Sequence, residues 1–440
     1  MQVARIPVST TNLSIGMYVS MLDRPWLETP FIFQGFEIRD RLEIEQLQSY
    51  CSQVFVDIDR GSLTEAQIRA LAASVSRTRS IANSSSAPDR PGGRLGKLAA
   101  RFGLVSLLMR LRRRRAAGYP ITTTARAEAS QAKAAYERAA SHYRSIFDRT
   151  RRVGAVDIET VTKAITPAVD SIVRNPDAMA WTVFSGKRTG RNYNRAVATA
   201  VWATIFGRHL GFERATLDKL AMGGLLLDIG NVSLPDELLY LEGAMTVDDF
   251  EKVSRHVQAG IDILKRSQDI APEILDMVAC HHERFDGSGY PNQLSGSDVP
   301  PFGRIAGIVD CYDAMTTRNA YSPALAAYDA ARELNDMRDK QFHSSVVGQF
   351  LHAIGMFPTG SIVELSDGRV GLVLEQNRVN PLQPKLLLLR SPKGRRLKPL
   401  RVLNPVDWPQ GDDARMLSIT RGHEHGAFGI DPADYFKKPS

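Results

Sequence analysis

The apolar positions of this chain change their rhythm from one end to the other, and each change marks a candidate domain boundary. In the first sixty or so residues, short apolar runs (VARIPV, GMYVSML and VFVDI) read as strands around a helical stretch near 40–51. That mixture predicts a small α+β domain over residues 1–75. Residues 77–96 are rich in Ser, Pro, Gly and Arg and read as a flexible linker. Next comes LGKLAARFGLVSLLMRLRRRRAAG at 95–118, where Leu98, Phe102, Val105 and Met109 repeat at helical spacing. Arg110 and Arg112 to Arg115 give this basic amphipathic helix a dense cationic end. Two readings stay open: contact with an anionic membrane surface through 97–115, or packing on the N-terminal domain with a solvated basic end, which we favour slightly. Linker and helix together occupy 76–125.

The Ala-rich, charged stretch at 126–149 predicts a connector or dimerisation helix that opens a helical region running to 358. Beyond it, FPTGSIVELSDGRVGLVLEQN has strand composition around an Asp367-Gly368 hairpin signal, and PKLLLLR at 384–390 adds a strand. Residues 359–440 are therefore expected to form a small β appendage. Its last twenty residues read as loosely ordered, with His423 and His425 as surface residues rather than ligands.

Chemistry concentrates in HHERFDGSGYP at 281–291, where two adjacent imidazoles end an apolar helix and meet a loop with two glycines and a proline. Helical spacing sets His281 over Ile274 and Val278, and His282 over Leu275 and Val278, so both rings lean toward the buried side. For the pair alone, a helix end with exposed histidines is as good a reading as a metal site. Asp228 ends an apolar helix just before Gly230, read as a C-cap, where a carboxylate opposes the helix dipole and needs a cation. His256 lies in a helix announced by the capping-box pattern Thr246-Val247-Asp248-Asp249 and shares a face with Val253 and Gly260. Asp310 sits inside the apolar run RIAGIVDCYDAM. Each alone is more often a satisfied polar residue. Together they put three imidazoles and two carboxylates on buried helix faces, a set suited to a hard-to-borderline cation.

These segments resemble the HD-GYP family of metal-dependent phosphohydrolases, from about Asn175 to Pro358. GRHLGF (207–212), LLLDIGNVSLP (225–235), His256 with Gly260, HHERFDGSGYP and RIAGIVDCYDAMTT (304–317) follow in the family's order. The N-terminal segment GMYVSMLDRPWLETPFIFQGFEI resembles the small domain that often precedes such modules in bacteria. The resemblance implies a multidomain, α-dominated chain: a small α+β N-terminal domain, an all-α HD-GYP helical bundle over 126–358 and the β appendage. It also implies bound iron or manganese and hydrolysis of cyclic di-GMP to pGpG and often on to GMP.

The departures from the family pattern matter more. Its His-Asp pair reads Leu227-Asp228 here, its following lysine is Asn231, its early histidine ligand corresponds to Arg195, and an acidic residue before that to Arg191. The Arg-Pro-Tyr after Asp310 reads Asn319-Ala320-Tyr321, with Arg318 one place early. By the resemblance, Asp228, His256, His281 and His282 keep one metal position whole, while the other retains only Asp228 and Asp310. A guanidinium offers no lone pair, and Leu227 offers nothing. Arg195 and Arg318 are expected to face substrate phosphate, and Gly289, Tyr290 and Pro291 to shape the substrate-facing loop. The expected cofactor is one divalent ion, iron or manganese first, with none as the alternative. Cyclic di-GMP is the expected ligand, and the expected role is binding of this nucleotide or a partner with little or no hydrolysis. The alternatives are a slow phosphodiesterase and a module that only contacts diguanylate cyclases or other signalling proteins. A homodimer stays open.

Composition narrows the picture a little. At 440 residues and 43% hydrophobic content the chain has room for two or three compact units. Cys51, Cys280 and Cys311 form neither a zinc pattern nor a disulfide framework, which fits a reducing compartment. Cys280, though beside the histidine pair, reads as a small core residue. No signal peptide or membrane-length apolar run is visible, so the expectation is cytoplasmic, with attachment to the inner membrane as the variant. A net charge of +8 permits attraction to anions, and no nucleic-acid partner is expected.

Overall fold

The computed structural model describes residues 5–23, 36–38, 41–61, 63–64, 67–68, 119–185, 192–239, 245–317, 324–378, 380–408 and 417–436. The linker and basic helix expected at 77–118 lie outside the described residues, as do Arg191 and Arg318. The chain divides into two compact units, 1–97 and 98–440.

In the first unit, strands β1 (Arg5–Ser9), β2 (Met17–Leu22), β3 (Phe36–Glu37) and β4 (Gln53–Gly61) form an antiparallel sheet in the order β1-β4-β2-β3. Alternation explains the register: Val8 pairs with Val54 and Val19 with Val56, and all four side chains are fully buried. Helix Arg41–Tyr50 adds Leu47 to that core. This is the expected small α+β domain.

The second unit is helical, with a sheet at its C-terminal end. Its first helix, Ala125–Val153, starts where the Thr124 side chain accepts from the Ala127 N–H and stops at Gly154, whose φ of 74° suits glycine. Ala132, Ala135, Ala139, Tyr143 and Phe147 form a stripe buried within the chain itself. A second core fixes the helices that matter below. Trp202 and Phe206 of helix Asn192–His209 meet Tyr312 of helix Pro301–Thr316 and Phe350 of helix Ser344–Ile354, with ring centroids 5.3–5.7 Å apart. All four rings are fully buried, each contributing about 1.5–3 kcal/mol by area alone. Among the described residues no helix is long and apolar enough to cross a membrane.

The C-terminal sheet is antiparallel in the order β8-β7-β6-β5-β9: β5 (Ile362–Leu365), β6 (Val370–Glu375), β7 (Lys385–Arg390), β8 (Arg396–Leu403) and β9 (Ile419–His423). The expected turn is present, with Gly368 at φ 81° between β5 and β6. Arg378 and the Gln376 N–H both donate to Asp177 of helix Pro176–Ser185, tying the sheet to the bundle. The tail corrects one expectation. Residues of the last twenty form part of β9 and the short helix Ala433–Phe436, because β9 finds an open edge along β5. His423 pairs there with Glu364 at 3.1 Å and is largely covered, unlike the surface residue expected, whereas His425 is exposed.

Two further expectations fail near the site. Gly230 does not cap a helix. It lies in a 3-10 turn, Ile229–Ser233, pressed so closely on helix His256–Arg266 that a Cβ would sit 1.9 Å from the His256 carbonyl oxygen and 2.5 Å from the Gly260 nitrogen. Nor does the Thr246 helix contain His256. The capping box forms as expected, but that helix (Val247–Ser254) ends one residue before a new one begins at His256.

Gly230→Ala should therefore cost about 1–3 kcal/mol of stability, since the nearest atoms are backbone. A thermal melt unchanged by the substitution would contradict this packing.

Candidate metal centre

The site forms where the 3-10 turn, helix His256–Arg266 and the end of helix Pro272–Cys280 meet. Asp228, His256, His281 and His282 each offer a ligand atom, all within 4.8 Å of one another. His256 Nε2 lies 3.3 Å and His281 Nε2 3.7 Å from Asp228 Oδ1, and the two Nε2 atoms are 3.2 Å apart. His281 is fully buried, His256 almost so, and the Asp228 side chain is 27% exposed, which opens the site to solvent on that side.

The tautomers follow from the backbone. His256 Nδ1 is 2.7 Å from the Val253 carbonyl and His281 Nδ1 is 2.8 Å from the Val278 carbonyl. A carbonyl only accepts, so both Nδ1 atoms carry the hydrogen, and in neutral imidazoles both Nε2 atoms present lone pairs. Two lone pairs and a carboxylate aimed at one point repel unless something positive lies between them. The residues present fit a divalent cation, with the backbone carbonyls as its outer shell.

Without a cation, protons at the Nε2 atoms take its place. Burial would raise the Asp228 carboxyl, but the protonated faces of His256 and His281 and the Arg195 charge hold it well below the usual carboxylate range. Burial opposes charge on His256, yet Asp228 overcomes it and raises that imidazole. Burial, then the charges of His281 and His256, push His282 far down and keep it neutral. Cys280 is buried, its thiol pushed up to about 12, as befits a core residue.

The GYP loop folds back over this cluster. The Tyr290 ring stacks on His282 at 4.5 Å, and its N–H donates to the His282 carbonyl. Gly289 must be glycine, because a Cβ would meet the His282 oxygen and the Arg284 nitrogen within 2.5 Å. Buried Glu283 accepts from the Asn292 and Leu294 N–H groups at 2.7 and 2.9 Å and pins the far side of the loop. Pro291 follows Tyr290 through a cis peptide bond. Burial, then Asp228 and Asp310, push the Tyr290 hydroxyl up, so it stays a donor.

Asp310 is not among the four clustered ligands and pairs with Arg195. Arg195 Nη2 donates to Asp310 Oδ1 at 2.5 Å, and Arg195 Nε is 3.9 Å from fully buried Asp313. Asp310 raises the Arg195 guanidinium above its ordinary value against burial, with Asp228 and Asp313 assisting. About a third of that side chain (34%) stays exposed. Leu227 is buried in the core at 2% exposure, and Asn231 closes the turn by donating its N–H to the Asp228 carbonyl. Sequence reasoning missed Asp313 and Glu283. Asp313 was readable as the i+3 neighbour of Asp310 on one helix face, whereas nothing local marks Glu283 as the anchor of a loop nine residues on.

Residues 182–346 match the HD domain family, and residues 5–161 match a domain of unknown function, DUF3391. The chain is 28% identical over 402 residues to a cyclic di-GMP phosphodiesterase of Pseudomonas aeruginosa, covering 91% of this chain and 88% of that protein. It is 30% identical over 162 residues to 3'3'-cGAMP-specific phosphodiesterase 2 of Vibrio cholerae, covering 37% of this chain and 30% of that one. It is 32% identical over 143 residues to a cyclic di-GMP phosphodiesterase of Thermotoga maritima, covering 32% and 39%. The chain thus spans less than half the length of the latter two relatives.

The quartet predicts about one transition-metal ion per chain, lost in His281→Ala, by elemental analysis of the purified protein. Because Asp228 raises His256, a proton competes with the cation below that raised value. Apparent metal affinity should fall as pH drops through that range, by up to about tenfold per unit. A pH-independent affinity, or full occupancy in His281→Ala, would contradict the assignment.

Proposed function

We propose that this chain, an HD-GYP-type protein carrying an HD domain behind a DUF3391 domain, is a cyclic di-GMP signalling protein that binds nucleotide and hydrolyses it little or not at all. The observation that carries the reading is the Arg195–Asp310 ion pair. By resemblance to the family, Asp310 belongs to a second metal position whose histidines correspond to Arg195 and Leu227. A guanidinium bonded to that carboxylate supplies a positive charge there, and it cannot release as a solvated ion does.

The quartet of Asp228, His256, His281 and His282 would hold one ion, iron or manganese by the resemblance. When bound, such an ion supplies Lewis-acid polarisation of a phosphate oxygen. The remaining N–H donors of Arg195, a third exposed, would grip a neighbouring phosphate oxygen. Tyr290 offers its hydroxyl as a donor and its ring edge to the ligand. Arg195 can stabilise charge, but it cannot lower the pKa of an attacking water. Loss of the second ion therefore costs several kcal/mol of transition-state stabilisation, on the order of a thousandfold in rate.

A second reading, slow phosphodiester hydrolysis at the surviving position, draws support from the intact quartet and the folded GYP loop. In a third the same face contacts diguanylate cyclases or other signalling proteins; the chain's partners and localisation beyond the nucleotide belong to that reading.

The deciding experiment is anaerobic incubation with cyclic di-GMP and iron or manganese, with pGpG and GMP quantified by mass spectrometry beside a His281→Ala/His282→Ala control. We expect retained nucleotide and little or no product, with activity rising in the Arg195→His/Leu227→His/Asn231→Lys variant. Multiple fast turnovers by the native chain would overturn the reading. Product formed slowly, and lost in the control, would favour the slow enzyme. Neither product nor retention would leave the protein-interaction role.

A further inference from the structure

Between Glu375 and Asp407 the sequence carries eight Lys or Arg side chains and no Asp or Glu. Two of them are spent inside the fold: Arg378 on Asp177, and Lys385 on Glu375 at 3.5 Å. Arg390 donates to the Phe428 and Gly394 carbonyls, and Arg396 to the Tyr435 hydroxyl, which are neutral acceptors. Lys393, Arg395, Lys398 and Arg401 have no carboxylate partner among the described residues. All four lie on the β7–β8 hairpin or its turn, and β8 is the edge of its sheet.

The strand itself is unusual. Only Leu403 of β8 is buried and Leu397 half-buried, so both of its faces meet solvent. Leu400 and Val402 are 41% and 45% exposed, and Val406 just past the strand is 86% exposed. An edge strand normally uses cations to repel other strands. It does not normally expose aliphatic side chains between them.

We propose that this hairpin is a docking surface for an anionic lipid membrane. Such a surface attracts each nearby Lys or Arg and takes aliphatic side chains into its headgroup boundary, so it rewards both halves of the pattern. Nucleic acid would reward the cations alone. Residues 376–406 contain no aromatic side chain to stack on a base, and the next one, Trp408, is buried. A second copy of the chain would set like charges against each other along β8. None of the residues that make this surface belongs to the metal centre or to the basic segment at 97–115.

The test is flotation of the full chain with vesicles of phosphatidylcholine alone and of phosphatidylcholine mixed with phosphatidylglycerol. The chain should float only with the anionic vesicles and be released by salt. Lys398→Glu/Arg401→Glu should weaken partitioning about tenfold or more, with an unchanged melt. Lys398→Arg/Arg401→Lys should keep it, and Leu400→Ser/Val402→Ser should weaken it while leaving the salt dependence in place. Replacing Arg112 to Arg115 by Ala should leave most of the binding. Three results would overturn the proposal: equal flotation with neutral vesicles, loss confined to the 112–115 variant, or no anionic binding alongside tight binding of a single-stranded oligonucleotide.

Discussion

The structure of this site turns on one unfavourable contact: two imidazole lone pairs and a carboxylate aimed at the same point. His256 and His281 cannot turn away, because the Val253 and Val278 carbonyls hold their opposite nitrogens. Asp228 cannot retreat, because Gly230 presses its turn against the backbone of His256 and Gly260. Tyr290, stacked on His282 and held through Glu283 at the loop's far side, closes the last direction. Each restraint uses ordinary backbone hydrogen bonding or close packing. Their sum is a preorganised, electron-rich pocket in which a cation relieves the repulsion.

Beside it, charge is balanced differently. Asp310 and Asp313 are buried acids on one helix, and leaving both unpaired would be costly. Arg195 answers them from the facing helix, which the aromatic cluster of Trp202, Tyr312, Phe206 and Phe350 holds in place. The two halves of the pocket thus use cations of different kinds. One suits an exchangeable ion and the other is covalently part of the chain. On the function proposed above, that asymmetry would let an anion bind without a second ion to react with.

Much of this was legible in the sequence, because its strongest signals were periodic. Apolar spacing on helix Pro272–Cys280 turned His281 inward, and the strand patterns at either end matched the two sheets. What failed was less local. Gly230 looks like a cap until the backbone it touches, some 26–30 residues later, is in place. The break before His256 has no proline or glycine to announce it, and is made instead by the contact of His256 with Asp228 and the Val253 carbonyl. The tail strand β9 has a polar composition and exists because β5 offers it an open edge. Arg195 is expected from the sequence only to face substrate phosphate. Its commitment to Asp310 becomes visible only when two helices separated by over a hundred residues are packed together.

One pocket is built for an exchangeable cation, and its neighbour holds Arg195 instead. Anomalous diffraction at the manganese edge, from crystals grown with that ion, tests this most directly. A single peak is expected among Asp228, His256, His281 and His282, with the Arg195–Asp310 pair intact beside it. Two peaks sharing Asp228, with Arg195 swung away from Asp310, would contradict it.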